Sequence, residues 1–287
     1  MVPPNVRFAL FVPLAAFLLA WAPRSTATTS SASSAPSVGA AGSFAILAGT
    51  AVTCTNGTVT GNVGVSPGTA ITQTSCPVTG TINAGNAAAV QANSAFFAAY
   101  DKFKALACDR VLSTFDSQTL SPGVYCVDAA ATFTDAVLTL AGPANGLWIF
   151  KVGTLGTGAL TGTRFSVVTP SGTPPCNSVY WWVAQAATTT DSKFVGTILA
   201  GAAISMTRGT FNGDAFAKAA VTVTGTAVTA CAIGSASPAA SCKDRDKDRD
   251  KDKCKDKKHG HDDCDDDDED HDHDGDNRQR RHEEYRR

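Results

Sequence analysis

From Met1 to Cys242 the carboxylates reduce to seven aspartates, and there is no histidine and no glutamate. A serine or cysteine nucleophile needs a base beside it, most often imidazole, and a His-ligated zinc needs the same ring. The sequence therefore argues against Ser-His-Asp or Cys-His hydrolysis and against His-ligated zinc in this stretch. Paired-carboxylate hydrolysis needs two acids facing one bond, yet Asp109, Asp116, Asp128, Asp135, Asp191 and Asp214 stand singly along the chain. The expectation is a protein that is not an enzyme, with no cofactor and no metal. Nothing here is expected to titrate near neutral pH, where unperturbed histidine does. Ten Lys/Arg over 242 residues leave no basic footprint for nucleic acid. What the stretch does have is hydroxyl: residues 38–234 contain 31 threonines.

The elements that must carry those threonines are short strands. Thr58 to Val63, Val137 to Leu140, Leu147 to Val152, Phe165 to Thr169, Val179 to Val183, Val195 to Leu199 and Val221 to Thr224 are β-branched runs broken by Gly. Several alternate apolar residues with Thr or Ser, the period of a half-buried strand. In Val221-Thr222-Val223-Thr224 the valines are expected to face a core and the threonines water. Such runs at close spacing suit a sandwich, a barrel or a β-solenoid, although no repeat of fixed length stands out. One segment differs. Residues 83–107 are Ala-rich without Pro, Asn83 or Asn86 can cap the start, and Phe96, Tyr100, Phe103 and Ala107 share a helical face close to Val90 and Phe97. A single amphipathic helix is expected there, its aromatic stripe packed on the strands.

The two ends are of another kind. Arg7 followed by the apolar run Phe8 to Ala22 reads as a signal peptide over residues 1–22, with Ala20-Trp21-Ala22 as a small-x-small cleavage pattern. Residues 23–39 read as a Ser/Thr/Ala linker, 40–234 as the folded domain and 235–287 as a disordered charged tail. That tail holds all five histidines, and its last 45 residues carry fourteen Lys/Arg and nineteen Asp/Glu, with little apolar surface to bury. A secreted, extracellular protein is expected, with no stable membrane association once the signal is removed. Export also changes the meaning of the six domain cysteines: an even number in an oxidising compartment suggests disulfides. Fifteen connectivities are possible. Local pairing favours Cys54–Cys76 and Cys108–Cys126, leaving Cys176–Cys231. Asn56-Gly57-Thr58 is an N-glycosylation acceptor pattern.

Taken in order, several blocks resemble the microbial ice-binding protein family. They are Ala41-Gly42-Ser43-Phe44-Ala45-Ile46-Leu47-Ala48-Gly49, Gly61-Asn62-Val63-Gly64-Val65-Ser66-Pro67-Gly68, Gly80-Thr81-Ile82-Asn83-Ala84-Gly85, Leu120-Ser121-Pro122-Gly123-Val124-Tyr125, Leu147 to Gly153, Cys176 to Trp181, Phe194 to Ala200, Asn212 to Ala217, and Ala230-Cys231-Ala232. The resemblance covers about residues 40–232. It implies a mainly β fold, a right-handed parallel β-helix (β-solenoid) of triangular section with a single long α-helix packed alongside, whose coils do not stack in chain order. It also implies a secreted antifreeze protein that inhibits ice growth and recrystallisation. Two departures stand out: Asp214 lies where the family usually carries Arg, and Cys54, Cys76, Cys108 and Cys126 are additional cysteines.

An ice crystal offers neither charge nor pocket, only a regular array of water oxygens. Its partner must be flat, rigid, repetitive and uncharged. Stacked strands repeat every ~4.8 Å, and Thr is stiff at χ1, so ordering it on a strand costs little entropy. Three tetrads have Thr at both ends: Thr50-Ala51-Val52-Thr53, Thr69-Ala70-Ile71-Thr72 and Thr226-Ala227-Val228-Thr229. Together with Thr222 and Thr224, their terminal threonines Thr50, Thr53, Thr69, Thr72, Thr226 and Thr229 form the expected contact set for the surface of an ice crystal, presented by a monomer. The alternative is an adhesin or matrix protein that binds polysaccharide or a cell surface through the same scaffold. Exposed aromatics in a groove would mark that alternative; a flat threonine array would mark ice.

Overall fold

A computed structural model describes residues 34–231, residue 173 excepted. The expected signal peptide, most of the linker and the charged tail, with its histidines and Cys242, Cys254 and Cys264, lie outside the described residues.

The strands stack as a parallel β-helix of three faces. One face is a nine-stranded parallel sheet that includes Phe44–Ala48, Asn62–Val65, Gly123–Val127, Trp148–Val152, Val179–Val183, Thr197–Ala200 and Ala215–Ala217. An eleven-stranded sheet supplies the other two faces. It does so because Ala187–Val195, Ile204–Asn212 and Val221–Thr229 are nine-residue strands that each turn a corner in the middle. The corners fall at Asp191 (φ 50°), Arg208 (φ 57°) and Gly225 (φ 61°), all left-handed. Gly209 follows one of them, and a Cβ there would lie 2.3 Å from the Ser192 carbonyl oxygen of the coil below. The next coil sits too close for any side chain.

Chain order and stacking order differ. Ala51–Thr55 pairs with Ala70–Thr74 on one side and with Val221–Thr229 on the other. The last coil therefore closes against the first, and the chain reaches the far end of the stack before winding back. Helix Ala87–Ala105 makes that passage. It is shorter than residues 83–107 because Ile82–Ala84 is still strand, paired with Val63 to Val65, and Gly85 (φ 64°) ends it. Asn86 then caps the helix, accepting from the Ala89 amide at 3.0 Å. Phe96, Tyr100 and Phe103 pack on Leu47, Val124, Ile149, Trp182, Leu199 and Phe216 of the first sheet. Val90 is instead 49% exposed, and Ala107 lies beyond the helix on the surface.

Two lysines fasten the helix. Lys151, buried in the sheet, donates to the carbonyls of Lys104 (2.9 Å) and Leu106 (2.5 Å), placing a cation at the helix C-terminus where the dipole favours it. Burial holds its pKa below the usual lysine value. Lys218 sits 3.8 Å from the centroid of the Tyr100 ring. Inside the solenoid, aromatic rings stack from coil to coil. Phe133 lies 4.3 Å from Phe165, Phe150 4.2 Å from Trp181, and Phe194 5.2 Å from Phe211 with parallel planes. This close-packed interior resists flexing of the walls. Three disulfides join Cys54 to Cys76, Cys108 to Cys126 and Cys176 to Cys231.

The interior corrects one expectation. Asp214 is 5% exposed, accepting from the Cys231 amide (3.0 Å) and the Thr197 hydroxyl (3.2 Å). Burial outweighs both hydrogen bonds and pushes its carboxyl up to about 7. A group of the domain thus does titrate near neutrality, without histidine.

Candidate functional site

The face entered first by the long strands carries two straight ranks of hydroxyls. In parallel pairing, Thr72 lies beside Thr53, Thr53 beside Thr222, and the rank continues through Ser205, Thr188 and Thr161 to Thr132. Two residues further along each strand runs a second rank: Thr74, Thr55, Thr224, Thr207, Thr190, Thr163 and Thr134. Fourteen positions in seven coils hold thirteen Thr and one Ser, none charged and none aromatic. All fourteen are at least partly exposed. Between the ranks, Cys54, Val223, Met206, Thr189, Gly162 and Phe133 are buried, as period-two alternation requires, while Gln73 of the outermost coil is exposed. From strand geometry the ranks are about 29 Å long and about 6.6 Å apart.

The edges of this threonine face differ. Before the first rank, each coil carries an alanine: Ala70, Ala51, Ala220, Ala203, Ala186, Ala159 and Ala130. After the second rank comes the left-handed corner: Ser75, Asn56, Gly225, Arg208, Asp191, Arg164 and Asp135. The charges alternate in sign and pair across coils. Arg164 binds Asp135 through two nitrogens, and Arg208 grips Asp191 at 2.6 and 2.8 Å. Hydrogen bonds from these arginines hold both carboxyls below the usual range.

The expected contact set divides. Thr53, Thr72, Thr222 and Thr224 lie in the ranks. Thr50 and Thr69 are exposed in the turns that lead onto the face, outside both ranks. Thr226 is only 2% exposed, with its hydroxyl donating to the Thr224 carbonyl at 3.3 Å, so it offers no surface contact. The left-handed step at Gly225 shifts the alternation: Thr224 and Gly225 both face out, and Thr226 turns in. Thr229 is exposed on the third face, beside Thr60 and Asn212. Ten rank residues fall outside the sequence-based set: Thr55, Thr74, Ser205, Thr207, Thr188, Thr190, Thr161, Thr163, Thr132 and Thr134. Their signal is present in the chain as Ala-x-Thr-x-Thr (once Ala-x-Ser-x-Thr), with Ala186, Ala203 and Ala220 spaced 17 residues apart.

A family model described as ice-binding-like matches residues 46–229. The chain belongs to the ice-binding-like family. An ice-binding protein of Nostoc sp. (strain HG1) is 33% identical over 212 residues, which is 71% of this chain and 74% of that protein. Among solved structures, an ice-binding protein from the Antarctic ascomycete Antarctomyces psychrotrophicus superposes with a TM-score of 0.63 at 30% identity, over 68% of this chain and 98% of that one. An ice-binding protein from an Antarctic biological consortium gives 0.59 at 27% identity, over 69% and 91%. The ice-binding-like fold thus accounts for the coils and the helix, and the two hydroxyl ranks are what this member displays on them.

Proposed function

We propose that this is a secreted antifreeze protein that adsorbs to ice through the threonine face, as a monomer and with no catalytic step. The observation that carries the reading is the pair of unbroken seven-member ranks, uncharged and backed by buried side chains in six of the seven coils. Each Thr presents a methyl beside which water orders and a hydroxyl that ties that water to the protein. Repetition at the strand spacing of ~4.8 Å turns these anchors into a lattice. The ranks contain no aromatic platform such as a sugar-binding face would use. The six paired cysteines fit an oxidising, extracellular setting, and among the described residues no helix is long and apolar enough to cross a membrane.

The test is a bulky side chain in the middle of the ranks. Thr207→Tyr and Thr190→Tyr are expected to remove most thermal hysteresis and recrystallisation inhibition, because the ring holds neighbouring threonines off the crystal. Thr210→Tyr, on the third face, is expected to leave both intact. All three should melt within about 0.5 kcal/mol of the parent. Full activity in both rank variants would refute the assignment of this face.

A further inference from the structure

We infer that the four charged corner residues, Asp135, Arg164, Asp191 and Arg208, are positioning residues for the second threonine rank, acting through it rather than touching ice. The inference rests on the threonine face being the adsorbing surface. Each of the four directly follows a rank residue: Thr134, Thr163, Thr190 and Thr207. Each is held at positive φ, between 49° and 57°, a region that residues bearing a Cβ enter at a cost and that Gly or Asn fills more cheaply. Stability does not explain the choice. The pairs are exposed, with side chains from 37% to 61% accessible, and exposed ion pairs contribute little to folding.

Geometry does explain it. Each pair is a two-pronged clamp between neighbouring coils: the planar guanidinium meets both carboxylate oxygens and so fixes direction as well as distance. The two clamps sit on four neighbouring coils, one joining the coils of Asp135 and Arg164 and the other those of Asp191 and Arg208. The clamp closes one residue beyond the rank, where a small twist of the corner would swing the threonine hydroxyl out of line. At the other end of the face the corners are Ser75, Asn56 and Gly225, without charge. There Cys54, buried between Thr53 and Thr55, is bonded to Cys76. Each end of the face thus has its own cross-coil tie beside or beneath the ranks.

Two full-length variants and one control test this. The neutral ladder, Asp135→Asn, Arg164→Gln, Asp191→Asn and Arg208→Gln together, removes the clamps. Because Asn suits a left-handed corner, this protein should melt no more than about 4 °C below the parent, yet lose thermal hysteresis severalfold. The reversed ladder, Asp135→Arg, Arg164→Asp, Asp191→Arg and Arg208→Asp, keeps the pairing with signs exchanged and should recover most of the activity. Thr207→Tyr is the control for the face itself. Unchanged hysteresis in the neutral ladder, with Thr207→Tyr inactive, would overturn the inference and leave the face assignment standing. A loss in the neutral ladder that tracks only its fraction unfolded, or one that the reversed ladder fails to repair, would also overturn it. An active Thr207→Tyr protein would remove the reading beneath both.

Discussion

Ala187–Val195, Ile204–Asn212 and Val221–Thr229 each spend four residues on the threonine face and four on the next, with one corner between. The two faces thus share strands and inter-coil spacing, and differ first in what the outward positions carry. On the threonine face the three coils present Thr188/Thr190, Ser205/Thr207 and Thr222/Thr224. Past the corner the exposed positions hold Lys193, Gly209, Thr210, Ala227 and Thr229. That second face also opens into a cleft of about 710 Å³, lined in part by Ser166, Val168, Pro170, Lys193, Thr210 and Asn212. The solenoid therefore supplies regular spacing to both faces, and under the proposed function only the threonine face has the composition to use it. Function resides in the surface borne by the fold rather than in the fold itself.

The largest expected effect removes the comparison by removing the fold. Val223 lies under the threonine face and Val228 under the mixed one, both fully buried. Val223→Asp and Val228→Asp each place an unpaired charge in the stacked core, and both should unfold the coil equally, seen as lost β-sheet circular dichroism at 25 °C. A folded Val228→Asp protein would mean that the mixed face lacks the close-packed backing of its neighbour. Next in size is the tie at one end of the stack. Replacing Cys54 and Cys76 by Ala opens a crosslink spanning 22 residues and should cost about 3 kcal/mol. The outermost coil carries only Thr72 and Thr74 of the ranks, so ice activity below the melting transition should fall modestly, not vanish. Loss of all activity in a folded protein would show that the whole face depends on that end.

Much of the fold was legible from residue types. The alternation in Val221-Thr222-Val223-Thr224 announces a half-buried strand, and the cappable, Pro-free stretch beginning near Asn83 announces the helix. The ranks were harder to read, because stacking neighbours are far apart in the chain: Thr53 meets Thr222 only when the last coil closes on the first. Reading Thr-Ala-x-Thr as the unit also began the motif one step early, in the turns holding Thr50 and Thr69. The unit that forms the ranks starts at the alanine and ends at the left-handed corner, beyond which the alternation changes phase. Thr226 shows this directly: its sequence context matches that of Thr50 and Thr69, yet its hydroxyl points inward. Asp214 was illegible for another reason. A lone aspartate in a Gly-Ala context reads as a surface turn, and only the close of the solenoid at Cys231 buries it.

Asp214 gives the smallest expected effect on ice activity, which it should leave unchanged, and so separates the faces from the interior. Its neighbours are Thr197, the Cys231 amide and, as a second weak acid, Tyr180, itself held above its usual pKa by burial. Because the folded carboxyl sits near 7 and an unfolded aspartate near its ordinary value, the native state holds the extra proton between those limits. The contribution of Asp214 to stability is then greatest in acid and falls as pH rises through that window, by at most about 1.4 kcal/mol per pH unit, levelling off above 7. Asp214→Asn keeps an acceptor for the Cys231 amide but cannot ionise, so its melting temperature should lose this slope and match or exceed the parent's at pH 8. The ranks contain no titratable group, so ice affinity at temperatures where the protein stays folded should be flat from pH 5 to 8 in both proteins. A melting profile with the same slope in the variant would assign the titration to another group. An ice affinity that follows the Asp214 slope would mean that the buried corner and the threonine face are coupled through the coils, rather than independent as their positions on different edges of the stack imply.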